Sequence, residues 1–575
     1  MSKHQELMFS FSRESLKDYL GKDIVDVLVE WTPASDGLLT KKKLIEMIQY
    51  LHGVSILKNR AFRKDLLLSM NPKEIIGIRD ACLNASEKKI NDVSKLVEII
   101  SSKTWGKNRL SKYLLQQWDY PADIFDGDAE DLTVRDTIDI DDQFYELLDY
   151  QFLIRQRMLS NLNSGNSQER MLVHMPTGTG KTKTTMHTIA NYYAFSLHNE
   201  GAVIWIAHTT ELLQQAYDTF AQVWAHLGNK TINTYKLWGS RELDPECPIE
   251  GVVFCGLAKL MSIKELNPAL FERIRRDCRL LVFDEAHKAA AVQTRRVIEE
   301  MLRMPNGYEN RALIGLSATP GRTTADSYDN NLLSNMFGNK LITIDSSILN
   351  QVNLGKLQAL NSVAEENIIS YFQRRKILSR ICIERLNYQT DFTELELNEL
   401  NRAIQALDFE DADYTKKQLK ILARNADRNR RILQRLRELN REAVPTIVFA
   451  CSVNHAKMLS AMLSLEEIPN SLVIGELDPQ SRKKAIDSFK DRTNNVNIII
   501  NYEVLTTGFD SKNIRCVFIT RPTKSVVLYS QMLGRGLRGP LMGGNEECLL
   551  IDVDDNLQVF NNESAFTHFN DYWRV

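Results

Sequence analysis

Through most of the chain, short apolar runs alternate with stretches whose apolar positions recur at helical spacing. Between residues 170 and 320 the runs are RMLVHM, GAVIWIAHT, GVVFCGL, RLLVFDEAH and ALIGLSATP. A second set begins at PTIVFACS and continues through SLVIGE, VNIIINYEV, IRCVFITRP and ECLLIDVDD. Apolar strands separated by crossover helices are the mark of a parallel sheet wrapped on both faces. The pattern therefore predicts two α/β domains in tandem. Before residue 119 the period is helical: Thr40 is placed to cap KKKLIEMIQYLHG, whose Leu44, Ile45, Ile48 and Leu51 share one face before Gly53 ends it. NDVSKLVEIISSKTWGKNRLSKYLLQQW continues in the same way with a break near Gly106.

Two stretches depart from this rhythm. Residues 119–142 hold ten acidic residues against one Arg, together with Pro121 and Gly127, which suits an exposed linker. Residues 355–440 lack the strand pattern and read as helical, acidic over 391–413 and basic over 416–437. The expected organisation is a helical domain (1–118), an acidic linker (119–143), a first α/β domain (144–345), a helical insertion (346–440), a second α/β domain (441–558) and a tail (559–575).

Composition narrows the class without naming a function. A chain of 575 residues exceeds what one hydrophobic core serves, and 43% apolar with 25% charged residues is ordinary for a globular protein. No apolar stretch approaches the roughly 18 residues of a membrane span, and MSKHQELMFSF lacks a secretory layout. A cytoplasmic protein with no membrane partner is expected. Cys82, Cys247, Cys255, Cys278, Cys382, Cys451, Cys516 and Cys548 form no C-x-x-C pair, which argues against a zinc ribbon or an iron–sulfur domain. The net charge of −2 does not advertise nucleic-acid binding, yet a basic groove can lie on a neutral protein.

The chemistry begins in LVHMPTGTGKTKTTMHTIA, residues 172–190. The spacing is that of the phosphate-cradling loop G-x-x-x-x-G-K-[ST], except that Met175 stands at the first glycine. Backbone N–H groups of Gly178, Thr179 and Gly180 would surround phosphates, Lys181 would reach the β and γ groups, and the Thr182 hydroxyl would bind Mg²⁺. Such a loop needs an acidic partner at the end of a buried strand. RLLVFDEAH supplies Asp284 for the metal and Glu285 to polarise an attacking water.

With MPTGTGKT, DEAH and, 30 residues on, SATP, the first half resembles the motor domain of the superfamily 2 helicases and translocases. LTTGFD (505–510) resembles motif V of that family, and QMLGRGLRG (531–539) resembles motif VI. The resemblance spans about residues 144–556 and implies two RecA-like domains that bind ATP and Mg²⁺ between them. It tolerates a non-glycine at Met175. By the family's pattern Gln531, Gly508 and Asp510 approach the nucleotide or the interface, His287, Ser317 and Thr319 link ATP state to domain arrangement, and Arg535 and Arg538 complete the site from the second domain. Their spacing of three suggests that both arginines project from one helical turn. YELLDYQFLIRQRML resembles the adenine-recognition element, with Tyr150 stacking and Gln151 hydrogen-bonding the base.

For nucleic acid, the family's pattern points to Thr209 in AHTTEL, Ser452 in FACS and Thr506 in LTTG as backbone contacts. Gln531 at the head of motif VI resembles the branch of excision-repair helicases and of the motor subunits of type I and III restriction enzymes. That implies DNA more than RNA, in a restriction-like or antiviral setting, with any nuclease supplied by a partner. An RNA helicase remains open, as does an ATP-gated sensor that recruits an effector through residues 1–118. KKQLKILARNADRNRRILQRLR (416–437), with nine basic residues and one acid, is open between a phosphate-tracking helix and a solvated face paired with the preceding acids. Lys103, Lys107, Arg109 and Lys112 around Trp105 pose the same choice.

Overall fold

The computed structural model describes residues 2–31, 39–120, 134–141, 144–165, 169–246, 248–303, 311–319, 327–345, 348, 368–389, 392–405, 413–506, 509, 511–523 and 525–555. Two sheets organise it. The first contains β1 (Arg135–Ile138), β2 (Arg170–His174), β3 (Ala202–Ala207), β4 (Ile232–Leu237), β5 (Gly251–Gly256), β6 (Cys278–Asp284), β7 (Ala312–Ser317) and β8 (Leu341–Thr343), in the order β1-β4-β5-β3-β6-β7-β2-β8. All pairs are parallel save β1 with β4. The second contains β9 (Arg380–Leu386), β10 (Thr446–Phe449), β11 (Asn470–Val473), β12 (Ile498–Asn501), β13 (Cys516–Ile519) and β14 (Glu547–Val553), all parallel, in the order β11-β12-β10-β13-β14-β9. Every apolar run quoted from the sequence lies on a strand, because central parallel strands are covered on both faces. Trp205, Phe254 and Phe283 are fully buried there.

Two expectations are corrected at the sheet edges. Residues 135–138 are not linker: β1 pairs antiparallel along β4, and the Asp136 carboxylate accepts hydrogen bonds from Tyr217 at 2.6 Å and Lys236 at 3.2 Å. Residues 380–386 are not helical: β9 runs along β14 and extends the second sheet. RICIERL was unreadable as a core strand because an edge strand keeps much of its surface in water.

The N-terminal domain is helical. Helix α1 spans Lys22–Trp31 and helix α2 spans Lys41–His52. In the motor, α3 is Asp149–Leu162, α4 Lys181–Asn191, α5 Thr210–Leu227, α6 Ile368–Arg374, α7 Lys416–Arg424, α8 Ala426–Arg441, α9 Val453–Leu465 and α10 Val526–Leu533. The Thr40 hydroxyl caps α2 by accepting from the Lys43 N–H at 3.3 Å, and Gly53 ends it at φ 52°. The apolar faces of α1 and α2 join one continuous core with Leu459, Met462 and Leu463 of α9. Tyr50 donates to the Asn470 carbonyl at 2.5 Å and Lys457 Nζ lies 3.3 Å from His52 Nδ1, so the helices of residues 2–31 and 39–120 are seated on the second domain. Trp105 stacks on Trp118 beneath the Arg63 guanidinium, and Lys103 pairs with Glu87. Of the basic cluster around Trp105, Lys103 is thus held within the domain, while Lys107 and Arg109 lie exposed.

The basic run divides into two helices with different fates. On α8, Arg428 is fully buried against Asp555, Arg435 pairs with Glu384 and Glu438, and Arg437 pairs with Glu466. On α7, Lys417 pairs with Glu399 of the acidic segment, while Lys416, Lys420 and Arg424 lie four residues apart on one exposed stripe.

Candidate nucleotide-binding cleft

Met175 explains itself first. It is fully buried at the end of β2, and its N–H donates to the Ser317 carbonyl of β7 at 3.3 Å. The position belongs to the sheet, where no glycine is needed. The turn follows: Gly178 and Gly180 take φ of 87° and 82°, a region L side chains avoid. A Cβ at Gly180 would collide with the Gln151 amide nitrogen, so the loop is closed by the side chain beside it. Lys181 and Thr182 open α4 directly after the turn. This N-terminal arrangement of backbone N–H groups suits an anion.

A cleft of about 490 Å³ is lined by Gly178, Gly180, Lys181, Thr182, Asp284 and Glu285 from the first domain and by Gln531, Arg535 and Arg538 from the second. The two bodies touch at the loop: a Cβ at Gly534 would come within 2.6 Å of Thr177, and one at Gly178 would lie 3.6 Å from Arg538 and Leu378. Arg535 and Arg538 do not share a helical turn, because α10 ends at Leu533. Arg535 sits on the turn that follows, its guanidinium donating to the Phe509 and Thr506 carbonyls at 2.6 and 2.7 Å, and Arg538 is a bridge residue paired with Leu378. Burial lowers both guanidinium pKa values to about 10.

The two carboxylates differ. Burial, and then the Glu285 charge, push the Asp284 carboxyl up to about 7 against the pull of Lys181. Burial alone would raise Glu285 as well, but His287, Lys181 and Arg535 outweigh it and hold Glu285 below its ordinary value. Glu285 occupies left-handed backbone at φ 56°, an uncommon strain for this residue type. His287 stands at the crossing: Gln531 Nε2 approaches its Nε2 at 3.4 Å from the second domain, while its Nδ1 lies 3.4 Å from both Ser317 Oγ and Glu285 Oε2. Thr319 N–H donates to Ser317 Oγ at 3.1 Å. Thr182 and Asp284 offer hard oxygen donors in the same cleft, and Mg²⁺ takes one or two such ligands beside phosphate and water.

Other sequence candidates are placed differently. The Tyr150 ring is fully buried against Phe372 and its hydroxyl donates to the Thr179 carbonyl at 2.6 Å, so it cannot stack on a base. Gln151 also serves the loop, its amide donating to Thr179 O at 2.8 Å and its oxygen accepting from Leu148 N–H at 2.9 Å. The aromatic ring that lines the cleft is Tyr145, which sequence reading missed. Lys183 Nζ lies 3.8 Å over the Tyr145 ring and donates to the Glu146 carbonyl, fastening this segment to α4. Thr209 and Ser452 cap α5 and α9 by accepting from Leu212 and His455 N–H at 3.3 and 3.1 Å. Thr506 is buried and donates to Glu503 O at 2.5 Å. Gly508 and Asp510 lie outside the described residues.

Residues 144–322 match the family described as the type III restriction enzyme res subunit, and residues 428–539 match the helicase conserved C-terminal domain. The chain is 26% identical to irc3 of Schizosaccharomyces pombe, named as a mitochondrial ATP-dependent helicase, over 68% of this chain and 55% of that protein. It is 22% identical to the EcoAI type I restriction endonuclease subunit of Escherichia coli over 69% of this chain and 45% of that one. The chain thus spans about half the length of these curated relatives. A solved structure of the helicase MrfA bound to DNA superposes with a TM-score of 0.48 at 16% identity, covering 74% of this chain and 51% of MrfA. Among the described residues no helix is long and apolar enough to cross a membrane. With both halves matched in order and two RecA-like sheets meeting at one cleft, the chain belongs to the superfamily 2 helicases, related to the motor subunits of restriction enzymes.

Proposed function

We propose that the protein is an ATP-driven motor, a helicase or translocase acting on DNA, whose hydrolysis is coupled to closure of its two RecA-like domains. The observation that carries this reading is the convergence of Lys181, Thr182, Asp284 and Glu285 with Gln531, Arg535 and Arg538 in one cleft. Lys181 and the loop amides hold the nucleotide's phosphates. Thr182 and Asp284 hold Mg²⁺, which when bound neutralises phosphate charge and favours an ionised Asp284. Glu285, kept ionised by its cationic neighbours, orients and deprotonates water. Arg535 and Arg538 bring positive charge to the transferring group from the second domain, so turnover requires closure. His287 connects Gln531 to Glu285 and Ser317, a route by which domain position is felt at the water-activating carboxylate. The likeness to a restriction endonuclease subunit supports DNA as the substrate. A cytoplasmic, restriction-like or antiviral setting belongs to the same proposal.

The test is steady-state ATP hydrolysis with no nucleic acid, single-stranded DNA, duplex DNA and RNA, beside Lys181→Ala. Stimulation by DNA that Lys181→Ala abolishes is the expected result. Stimulation by RNA alone would change the substrate. Tight binding without turnover would instead leave an ATP-gated scaffold.

Base recognition falls to Tyr145. Tyr145→Ala is expected to raise the ATP KM about tenfold, the order of 1–1.5 kcal/mol that an aromatic contact is worth, with a smaller change in kcat. Tyr150→Phe removes only the hydroxyl donated to Thr179 and should leave base discrimination intact. Competition by GTP in the two variants separates these roles.

A further inference from the structure

Away from the ATP cleft, a groove of about 560 Å³ runs between α1 of the N-terminal domain, α7 of the insertion and the start of α9. Its α7 wall presents Lys416, Lys420 and Arg424, and its α1 wall presents Asp23 and Asp26. The floor is apolar, with Ile24, Leu419 and Met458, and Tyr502 stands in the lining beside Ser452. At one end the walls meet: Arg424 pairs with Asp23 at 2.7 Å.

We infer that this groove holds a single nucleic-acid strand beside Ser452, with phosphates on Lys416 and Lys420 and bases against the apolar floor and Tyr502. The inference rests on the nucleic-acid reading above and adds to it residues that lie outside the motor motifs.

Three observations carry it. The stripe repeats every four residues on one helix, so its charges point the same way along the groove. Lys417, Arg428, Arg435 and Arg437 of the same basic run are paired within the protein, whereas Lys416 and Lys420 are exposed on the groove wall and bonded to no acid among the described residues. A basic edge over an apolar, aromatic-bearing floor is the arrangement that takes phosphate and base faces of one strand without reading sequence. Asp23, by engaging Arg424, competes with phosphate at the closed end and fixes where the strand's contacts stop.

The experiment measures affinity of the full chain for a single-stranded oligonucleotide and for a blunt duplex across a series of salt concentrations, comparing wild type with Lys416→Ala/Lys420→Ala. The double variant is expected to bind the single strand at least about tenfold more weakly at low salt. Its log–log salt slope should be shallower by about 1.4, two phosphate contacts at about 0.7 each. Lys416→Arg/Lys420→Arg keeps the charge and should restore both. An unchanged slope with wild-type affinity would overturn the groove assignment while leaving the motor reading intact, and an equal loss on the duplex would overturn the single-strand assignment. Wild-type protein that binds no oligonucleotide would overturn the nucleic-acid reading itself.

Discussion

Glu285→Gln is expected to cut ATP turnover by about 10²–10⁴-fold, the span for a positioned general base, or about 3–5 kcal/mol of barrier. Nucleotide affinity should stay within a few-fold of wild type. The asymmetry follows from the cleft. Gln keeps the length of Glu, but an amide cannot accept the proton that a carboxylate takes, and His287, Lys181 and Arg535 no longer have a carboxylate at this position to hold ionised. Lys181, Thr182 and Asp284 remain, so the groups proposed to hold phosphate and Mg²⁺ are unchanged. Single-turnover hydrolysis beside equilibrium binding of a fluorescent nucleotide separates the two quantities. Wild-type turnover would remove Glu285 from the chemistry.

Asp555→Ala is expected to destabilise the second domain by about 3–5 kcal/mol, the cost of leaving a buried charge without its partner. Arg428 is fully buried, its partner Asp555 is 5% exposed, and the guanidinium also donates to the Thr520 carbonyl. Arg424 and Asp23, by contrast, form an exposed pair at the same 2.7 Å and contribute about 0–1 kcal/mol. The test is urea unfolding of Asp555→Ala, Arg428→Met and Arg428→Met/Asp555→Leu. The double variant, which removes both charges, should regain most of what Asp555→Ala loses. A loss below about 1 kcal/mol in Asp555→Ala would show that water reaches the guanidinium.

What the sequence revealed and what it hid divide along burial. Most strands were legible because both faces are covered, which writes an apolar run directly into the chain; β4 was not, because INTYKL carries Asn233, Thr234 and Lys236. β1 and β9 were hidden because edge strands carry charge, Asp136 on one and Glu384 and Arg385 on the other. The P-loop and DEAH segments were legible because their spacing is chemical. Tyr145 was hidden because which of two tyrosines faces a cleft depends on how α3 packs, and Tyr150 is turned inward onto Phe372 and Thr179. The arginines of motif VI stand out by their spacing, but their placement does not, since α10 stops at Leu533 and Arg538 lies in extended backbone beside Leu378. The basic run could not be resolved from composition: only packing separates Arg428, Arg435 and Arg437 of α8, committed to internal pairs, from Lys416 and Lys420 on α7.

The seating of residues 2–31 and 39–120 on α9 makes the helical domain one body with the second motor domain. Its core is continuous with that of the second motor domain, and Tyr50 and His52 reach Asn470 and Lys457 across the join. In the proposed closure of the two motor domains, this shared core would carry the helical domain along with the second domain. A cargo or sensor attached to the helical domain would then be moved by that closure.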